Sequence, residues 1–341
     1  MTDLEALLSA LHTRELNYKL LTTADDGCVV VMERGARILG VFAHKEARNA
    51  LWTNPELQHI TDEEWNAGGD RIWFSPEIQF HMPDTDGSYE VQRGMDPGSY
   101  QLNASTNETV RLEMTGEVQA FRANHAVTMH LSKKVSLIPD PLRISRSLLA
   151  DYAYVGYEQL TALTRLDQGP ELTVSLWSIL QVPFEGVALI ATHNNAAYAD
   201  YVQDAFVDGV TVTPSGIVMK FEGEQRRKIA VKAAYASGRL GYFRAESPKH
   251  CTLIVRNFAC NPSGYYPDVS LLDPTDTGYC AQCYKDDGSL GTFGELEYHS
   301  ASVQLQADTI ELRDQSQVWC YQGHPDVINQ IAIQLLGHRF S

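Results

Sequence analysis

Apolar runs of strand length recur along nearly the whole chain and do not alternate with ten-residue helices. CVVVMERG, ARILGVFA, YEVQR, VRLEMTGEVQAFRA, AVTMHLSKKVSLI, ELTVSLWSILQV, GVALIATH, VTVTPSGIVMKFEG, RKIAVKAAYA, CTLIVRNFA and ASVQLQA are separated by clusters of Gly, Asp, Asn and Pro. A doubly wound or barrel α/β fold needs a helix after most strands, so the pattern argues against both. It predicts a mainly β chain of antiparallel strands. Helical spacing is confined to the ends and a few patches. Thr2 and Glu5 read as a capping box before the stripe Leu4, Leu7, Leu8 and Leu11, predicting a helix over about 2–12. Val327, Ile328, Ile331 and Leu335 share one face of a second helix over about 324–337. HKEARNALW, SRSLLADYAYVGYEQLTAL and AYADYVQDAF also show helical spacing. The chain has no internal repeat or long linker, and the one candidate boundary lies near Pro139–Pro141. The simplest organisation is one large β domain over 1–341.

A length of 341 residues with 44% hydrophobic side chains supports a sizeable core. The formal net charge of −16 disfavours nucleic acid and anionic membranes as partners and suits a neutral or cationic small ligand. The first residues lack a basic segment followed by an apolar stretch, and no apolar run approaches the ~18–20 residues of a spanning helix. A cytoplasmic location is therefore expected. Of the six cysteines, Cys280 and Cys283 form a CxxC. A zinc ribbon needs a second close pair, and a redox CxxC opens a helix; neither context is present, so the two read as ordinary thiols.

Two segments carry chemistry. In GELEYHS, Gly294 to Ser300, strand alternation sends Glu295, Glu297 and His299 to one face, each roughly 6–7 Å from the next. The row suits a solvated face, a divalent metal site, or general acid–base work, since neighbouring carboxylates raise one another's pKa. In GGDRIWFSPEIQFH, Gly68 to His81, Arg71 and Trp73 alternate with Ile72 and Phe74. Arg71 offers a planar fork of donors and Trp73 a flat apolar face, the groups that hold a sugar, although a buried structural Arg beside a core Trp reads equally simply. Phosphate loops, dinucleotide fingerprints, nucleophile elbows and HExxH are absent from the sequence. EQRRKIAVK is short, lacks interleaved aromatics, and reads as a charged turn entering a strand.

Taken in order, these blocks resemble a bacterial family of galactose-mutarotase-like proteins, relatives of aldose 1-epimerase. GARILGVF with ALWTNPE resembles its opening strand pair, and GGDRIWFSPE its Gly-Gly-x-Arg-x-Trp-x-x-Pro-Glu signature. SLWSILQVP resembles the central Ser-x-Trp block, FEGEQRRKIAV a Gly-x-x-x-Arg-x-Lys-Ile strand, and CYKDDGSLGTFGELEYHSAS the closing block. LLGHRF fits the terminal helix, so the resemblance spans roughly residues 25 to 340.

The resemblance implies a β-supersandwich of two large, mostly antiparallel sheets with a sugar cleft on one of them. It implies a small-molecule carbohydrate as partner, no cofactor and no metal. Leu296-Glu297 matches the mutarotase Leu-Glu, which makes Glu297 the candidate base. Arg71 takes the place of the arginine that contacts sugar hydroxyls. Trp73, Glu77, His81, Lys228, Asp287 and Glu295 are expected to line the same cleft. The mutarotase Thr-Asn-His segment has no counterpart, since LTALTRLDQG lies where it would fall. The acid is then expected to be His299, His81 or His193, or a neutral carboxyl such as Glu295. The implied activity is aldose 1-epimerase-like anomer interconversion, with non-catalytic sugar binding or sensing in the same cleft as the alternative.

Overall fold

The computed structural model describes residues 2–84, 88–144, 151–193, 196–202, 209–268, 276–306 and 311–340. Within them the chain forms two large sheets. One runs in the order Tyr18–Thr22, Cys28–Met32, Arg37–Phe42, Asp70–Ser75, Leu172–Pro183, Phe293–His299, Ala281–Lys285, Arg227–Val231 and Ala199–Asp200, with Val303–Leu305 also paired to Leu172–Pro183. The other runs Val210–Thr213, Gly216–Phe221, Gly186–Thr192, Ala236–Ser247, His250–Phe258, Glu311–Gly323, Tyr152–Arg165, His125–Leu137, Thr109–Ala120 and Gln101–Ser105. Neighbouring strands pair antiparallel, as at Phe293–His299 with Leu172–Pro183 and Glu311–Gly323 with Tyr152–Arg165. The expected architecture of two antiparallel sheets packed together is the one observed.

Strand alternation sorts the side chains into layers. Val29 and Val31 join the core between the sheets, alongside Ile38, Leu131, Leu163, Ile254 and Val318. Cys28, Val30 and Met32, on the opposite face of the same strand, pack against Leu7 and Leu11 of the first helix. The last helix lays Val327, Ile328, Ile331 and Leu335 against Leu253, Val255 and Trp319 on the outside of the second sheet. No helix among the described residues is long and apolar enough to cross a membrane.

Several local expectations are corrected. The first helix is Leu4–Thr13, and its cap is Asp3, which accepts from the Ala6 amide at 2.8 Å, in place of the Thr2–Glu5 box. The last helix, Pro325–Leu336, begins after His324 and stops at Gly337, whose φ of 65° is left-handed. HKEARNALW forms turns, because the Asn49 side chain binds the Val41 and Leu51 amides and the Leu39 carbonyl. Tyr152–Arg165 is a strand, held on both sides by Glu311–Gly323 and His125–Leu137; residues 145–150 of that patch lie outside the described residues. In AYADYVQDAF, Ala199–Asp200 pairs as a short strand with Ala230 and Ile229, and 203–206 lie outside the described residues. YEVQR is not a strand: Gln92 binds the Phe80 and Gln119 carbonyls through its side chain, and its Oε1 accepts from the Gln119 amide.

Candidate functional site

The outer face of the first sheet carries the site, on the side away from the inter-sheet core. Two glycines set the strand that begins it. Gly68 and Gly69 have φ of 93° and 78°, and a Cβ there would stand 2.6 Å from the Trp52 carbonyl oxygen and 2.2 Å from that of Ile38. Only glycine permits this approach without moving backbone. Asp70 then turns inward and accepts from Tyr157 Oη at 2.7 Å and Gln159 Nε2 at 2.6 Å, and pairs with Arg256 at 3.0 Å, all from the second sheet. Arg71 and Trp73 turn outward. Trp73 is opposite Trp177 and Arg71 opposite Ile179 on the next strand, while Glu295, Glu297 and His299 are opposite Gln181, Ile179 and Trp177 on that strand's other side.

These strands floor a cavity of about 490 Å³, within the range of ~300–1,000 Å³ for small-molecule sites. Trp65, Trp73, Tyr89, Trp177 and Phe293 give it aromatic walls. At one end Arg71 meets Glu295 at 3.0 Å, and Gln181 Nε2 donates to the same carboxylate oxygen at 3.0 Å. The guanidinium lies 4.3 Å from the Trp73 ring centre and 5.1 Å from that of Trp65. Its Nε and second NH2 group have no partner among the described residues. Trp73 is itself held by an Nε1–H bond to Asp96 at 2.7 Å.

At the other end Lys228 Nζ lies 3.3 Å from both Glu77 Oε1 and Glu297 Oε2. The ammonium sits 4.6 Å from the Trp177 ring centre, and Trp177 Nε1–H donates to Glu297 Oε2 at 2.8 Å. Glu297 Oε1 has no partner among the described residues. Burial pushes the Glu297 carboxyl up to about 8 and that of Glu77 up to about 7, against the pull of Lys228. Against its own burial, the two carboxylates hold the Lys228 ammonium protonated well above the usual lysine range.

Glu295, Glu297 and His299 are thus all buried, at 6%, 0% and 1% exposure, which removes the reading of a solvated face. The two carboxylates already have cationic partners, and no group of three His, Cys, Asp or Glu among the described residues is placed to hold a metal. Neither expected histidine lines the cavity. His299 lies behind Trp177, its ring stacked on the indole at 5.4 Å, with Nε2 3.4 Å from Asp268 but no aligned hydrogen bond on either nitrogen among the described residues. His81 lies behind Trp73 at 5.0 Å, its nitrogens near the Phe74 and Glu90 carbonyls. Burial pulls both imidazoles down to about 4, so both are neutral near pH 7. His193 is exposed and also off the cavity.

Glu77 and Lys228 stand in the cavity wall, but Asp287 does not. It pairs with Arg226 at 3.5 Å near the rim, and the buried aspartate of that loop is its neighbour. Asp286 accepts from Tyr284 Oη at 2.7 Å and from the Gly288 and Leu290 amides. Residues missed in the sequence are Trp65, Tyr89, Trp177, Gln181 and Tyr284. Trp177 and Gln181 alternate on one strand face within SLWSILQVP, a signal that was available; Trp65 and Tyr89 come from irregular segments that carry no period.

A family described as of unknown function (DUF6786) matches residues 8–341. No curated protein matches the chain. Among solved structures, a galactose mutarotase-like protein from Lactobacillus casei is 9% identical and aligns over 89% of this chain and 100% of its own, with a TM-score of 0.51. A galactose 1-epimerase from Lactobacillus acidophilus is 12% identical over 91% of this chain and 95% of its own, with a TM-score of 0.46. A GalM/aldose epimerase homologue from C. elegans is 10% identical over 90% and 98%, also at 0.46. The first of these establishes a galactose mutarotase-like fold.

Proposed function

For a chain that belongs to the DUF6786 family of unknown function, we propose that the cavity binds a carbohydrate and interconverts its anomers by acid–base chemistry, without a cofactor. The observation that carries this reading is the pair of carboxyls, Glu77 and Glu297, each 3.3 Å from one lysine at the floor of an aromatic-walled cavity. Anomer interconversion needs one group to take the proton of the anomeric hydroxyl and another to give a proton to the ring oxygen. Burial brings both carboxyls near neutrality, where a carboxyl can both accept and return a proton. In the microstate that turns over, the proton shared across Lys228 sits on Glu77; Glu297 is then the base, through Oε1, and Glu77 supplies the proton that no histidine in the cavity wall can give. Lys228 stabilises whichever carboxyl is ionised. The other aromatic walls, Trp65 and Phe293 among them, suit the C–H face of a pyranose, and Arg71 suits its hydroxyls.

Polarimetric relaxation of a panel of aldoses tests the reading. Wild type is expected to relax faster than buffer, and Glu297→Gln and Glu77→Gln to lose that acceleration. If wild type matches buffer for every sugar, the catalytic assignment falls. The position of His299 and His81 behind the indoles favours a second reading, sugar binding without turnover. Saturable binding in calorimetry with no acceleration of anomer exchange would support that reading instead.

A further inference from the structure

The cysteines take no part in the cavity, yet two of them meet. Of the six, five are buried and Cys260 is partly exposed. Cys260 follows the His250–Phe258 strand of the second sheet, and Cys280 precedes the Ala281–Lys285 strand of the first. Their sulfurs are 3.2 Å apart, a hydrogen-bonded contact. A disulfide of ~2.05 Å requires them to close by only about 1 Å. The Cys280 backbone is fixed: its amide donates to Val231 at 3.1 Å and its carbonyl accepts from His299 at 2.8 Å. Cys260 stands where the chain leaves its strand, so the adjustment falls on its side. The thiol hydrogen bond from Cys280 holds the Cys260 thiol below its usual pKa, while Cys280 itself is pushed up by that bond and by burial. A partly exposed cysteine in contact with a second thiol, its own pKa lowered, is the arrangement that oxidants select.

We propose that Cys260 and Cys280 are a peroxide-reactive dithiol that closes to a disulfide joining the two sheets. The Cys260 thiolate, its proton lost to solvent, attacks one oxygen of hydrogen peroxide. The O–O bond breaks, leaving Cys260 sulfenic acid, and the departing hydroxide takes up a proton as water. The Cys280 sulfur then attacks the sulfenic sulfur; the S–S bond forms, the S–O bond breaks, and the Cys280 proton leaves with the hydroxide as a second water. Two thiols lose two electrons and the peroxide gains two. The bond lands beside the site strands, since Cys280 adjoins the strand whose Gln282 is opposite Glu297, and Cys260 Sγ lies 3.7 Å from the Ala233 carbonyl just beyond the lysine strand.

The test uses the full chain treated with a few equivalents of hydrogen peroxide, then denatured, alkylated and mapped by mass spectrometry. Expected is the loss of two of the six thiols, a cross-linked peptide pair containing Cys260 and Cys280, and reversal by dithiothreitol. Cys260→Ser is expected to keep all five remaining thiols under the same treatment. The proposal is overturned if the wild-type chain keeps six alkylatable thiols, if a different pair cross-links, or if Cys260 accumulates as sulfinic acid while Cys280 remains alkylatable. Because the mapping is done on the wild-type chain, a variant that fails to fold does not decide it.

Discussion

The two ends of the cavity are built alike and charged differently. Each has a cation over an indole, a carboxylate from the Phe293–His299 strand, and a buried histidine ring against the indole, tilted at Trp73 and stacked at Trp177. At the arginine end Arg71 meets one carboxylate, Glu295, which Gln181 also serves. At the lysine end two carboxylates, Glu77 and Glu297, share one ammonium. One-to-one pairing suits holding a ligand in place. Two carboxyls on one cation leave one of them favoured to carry a proton, because two buried negative charges cannot both be compensated. The difference separates a positioning end from a proton-exchanging end on a single strand, two residues apart.

The largest expected effect sets the two ends against each other. Glu297→Gln should lower the rate of anomer exchange by about 10²–10⁴-fold with modest change in KM. Glu295→Gln should raise KM and leave kcat within about tenfold. Steady-state kinetics on the same sugar check both, and equal effects on kcat would erase the distinction.

Next in size is acid lability, which both ends share. His299 and His81 titrate at about 4 in the folded chain against 6.5 unfolded. A depressed histidine pKa means the unfolded chain binds the proton more tightly. The stability is therefore present above 6.5 and lost as pH falls through 4, by about 3 kcal/mol for each group. Glu77 and Glu297 shift stability in the opposite sense over the same range. The check is therefore the difference between wild type and His299→Leu in urea melts, which should move by about 3 kcal/mol in favour of the variant from pH 7 to pH 4. Of the two ends, only the lysine end loses stability as the pH rises. Glu77 and Glu297 titrate at about 7 and 8 against a usual 4.5, so their contribution is full below 4.5 and is lost as pH rises through 7 to 8. Glu297→Gln should flatten that limb; if Glu295→Gln flattens it equally, the charge asymmetry is wrong.

A smaller effect follows from the indole N–H groups. Trp177→Phe removes a 2.8 Å bond to Glu297, and Trp73→Phe a 2.7 Å bond to Asp96. Each should cost about 1.5–3 kcal/mol in denaturant melts, and only the first should also slow anomer exchange. The smallest effect is at the rim. Asp287→Ala breaks a half-exposed pair with Arg226 and should leave the urea midpoint and kcat indistinguishable from wild type.

Much of the fold was legible because strands of period two fill most of the chain. Alternation also set Glu295, Glu297 and His299 on one face, as the register with Gln181, Ile179 and Trp177 bears out. It carried no information on depth. His299 shares the face but sits beneath Trp177, because pairing with the neighbouring strand places the two rings opposite each other. Lys228 and Glu77 meet across 151 positions of sequence, and nothing local marks that contact. The Tyr152–Arg165 segment fits both a helical and a strand period, and its two strand neighbours decide between them. Asp3 displaced the expected capping pair by one residue, within the usual uncertainty of helix ends.

Asp70 and Arg71 stand side by side and face opposite ways. The aspartate is gripped by Arg256, Tyr157 and Gln159 from the second sheet, and the arginine faces the cavity. The strand therefore has a reading frame. Inserting or deleting a single residue between the Gly68–Gly69 pair and Asp70 would send the carboxylate into the ligand's space and bury the guanidinium among groups arranged for an anion. Side chains along Asp70–Ser75 can be exchanged singly, but the strand can change its length there only in steps of two.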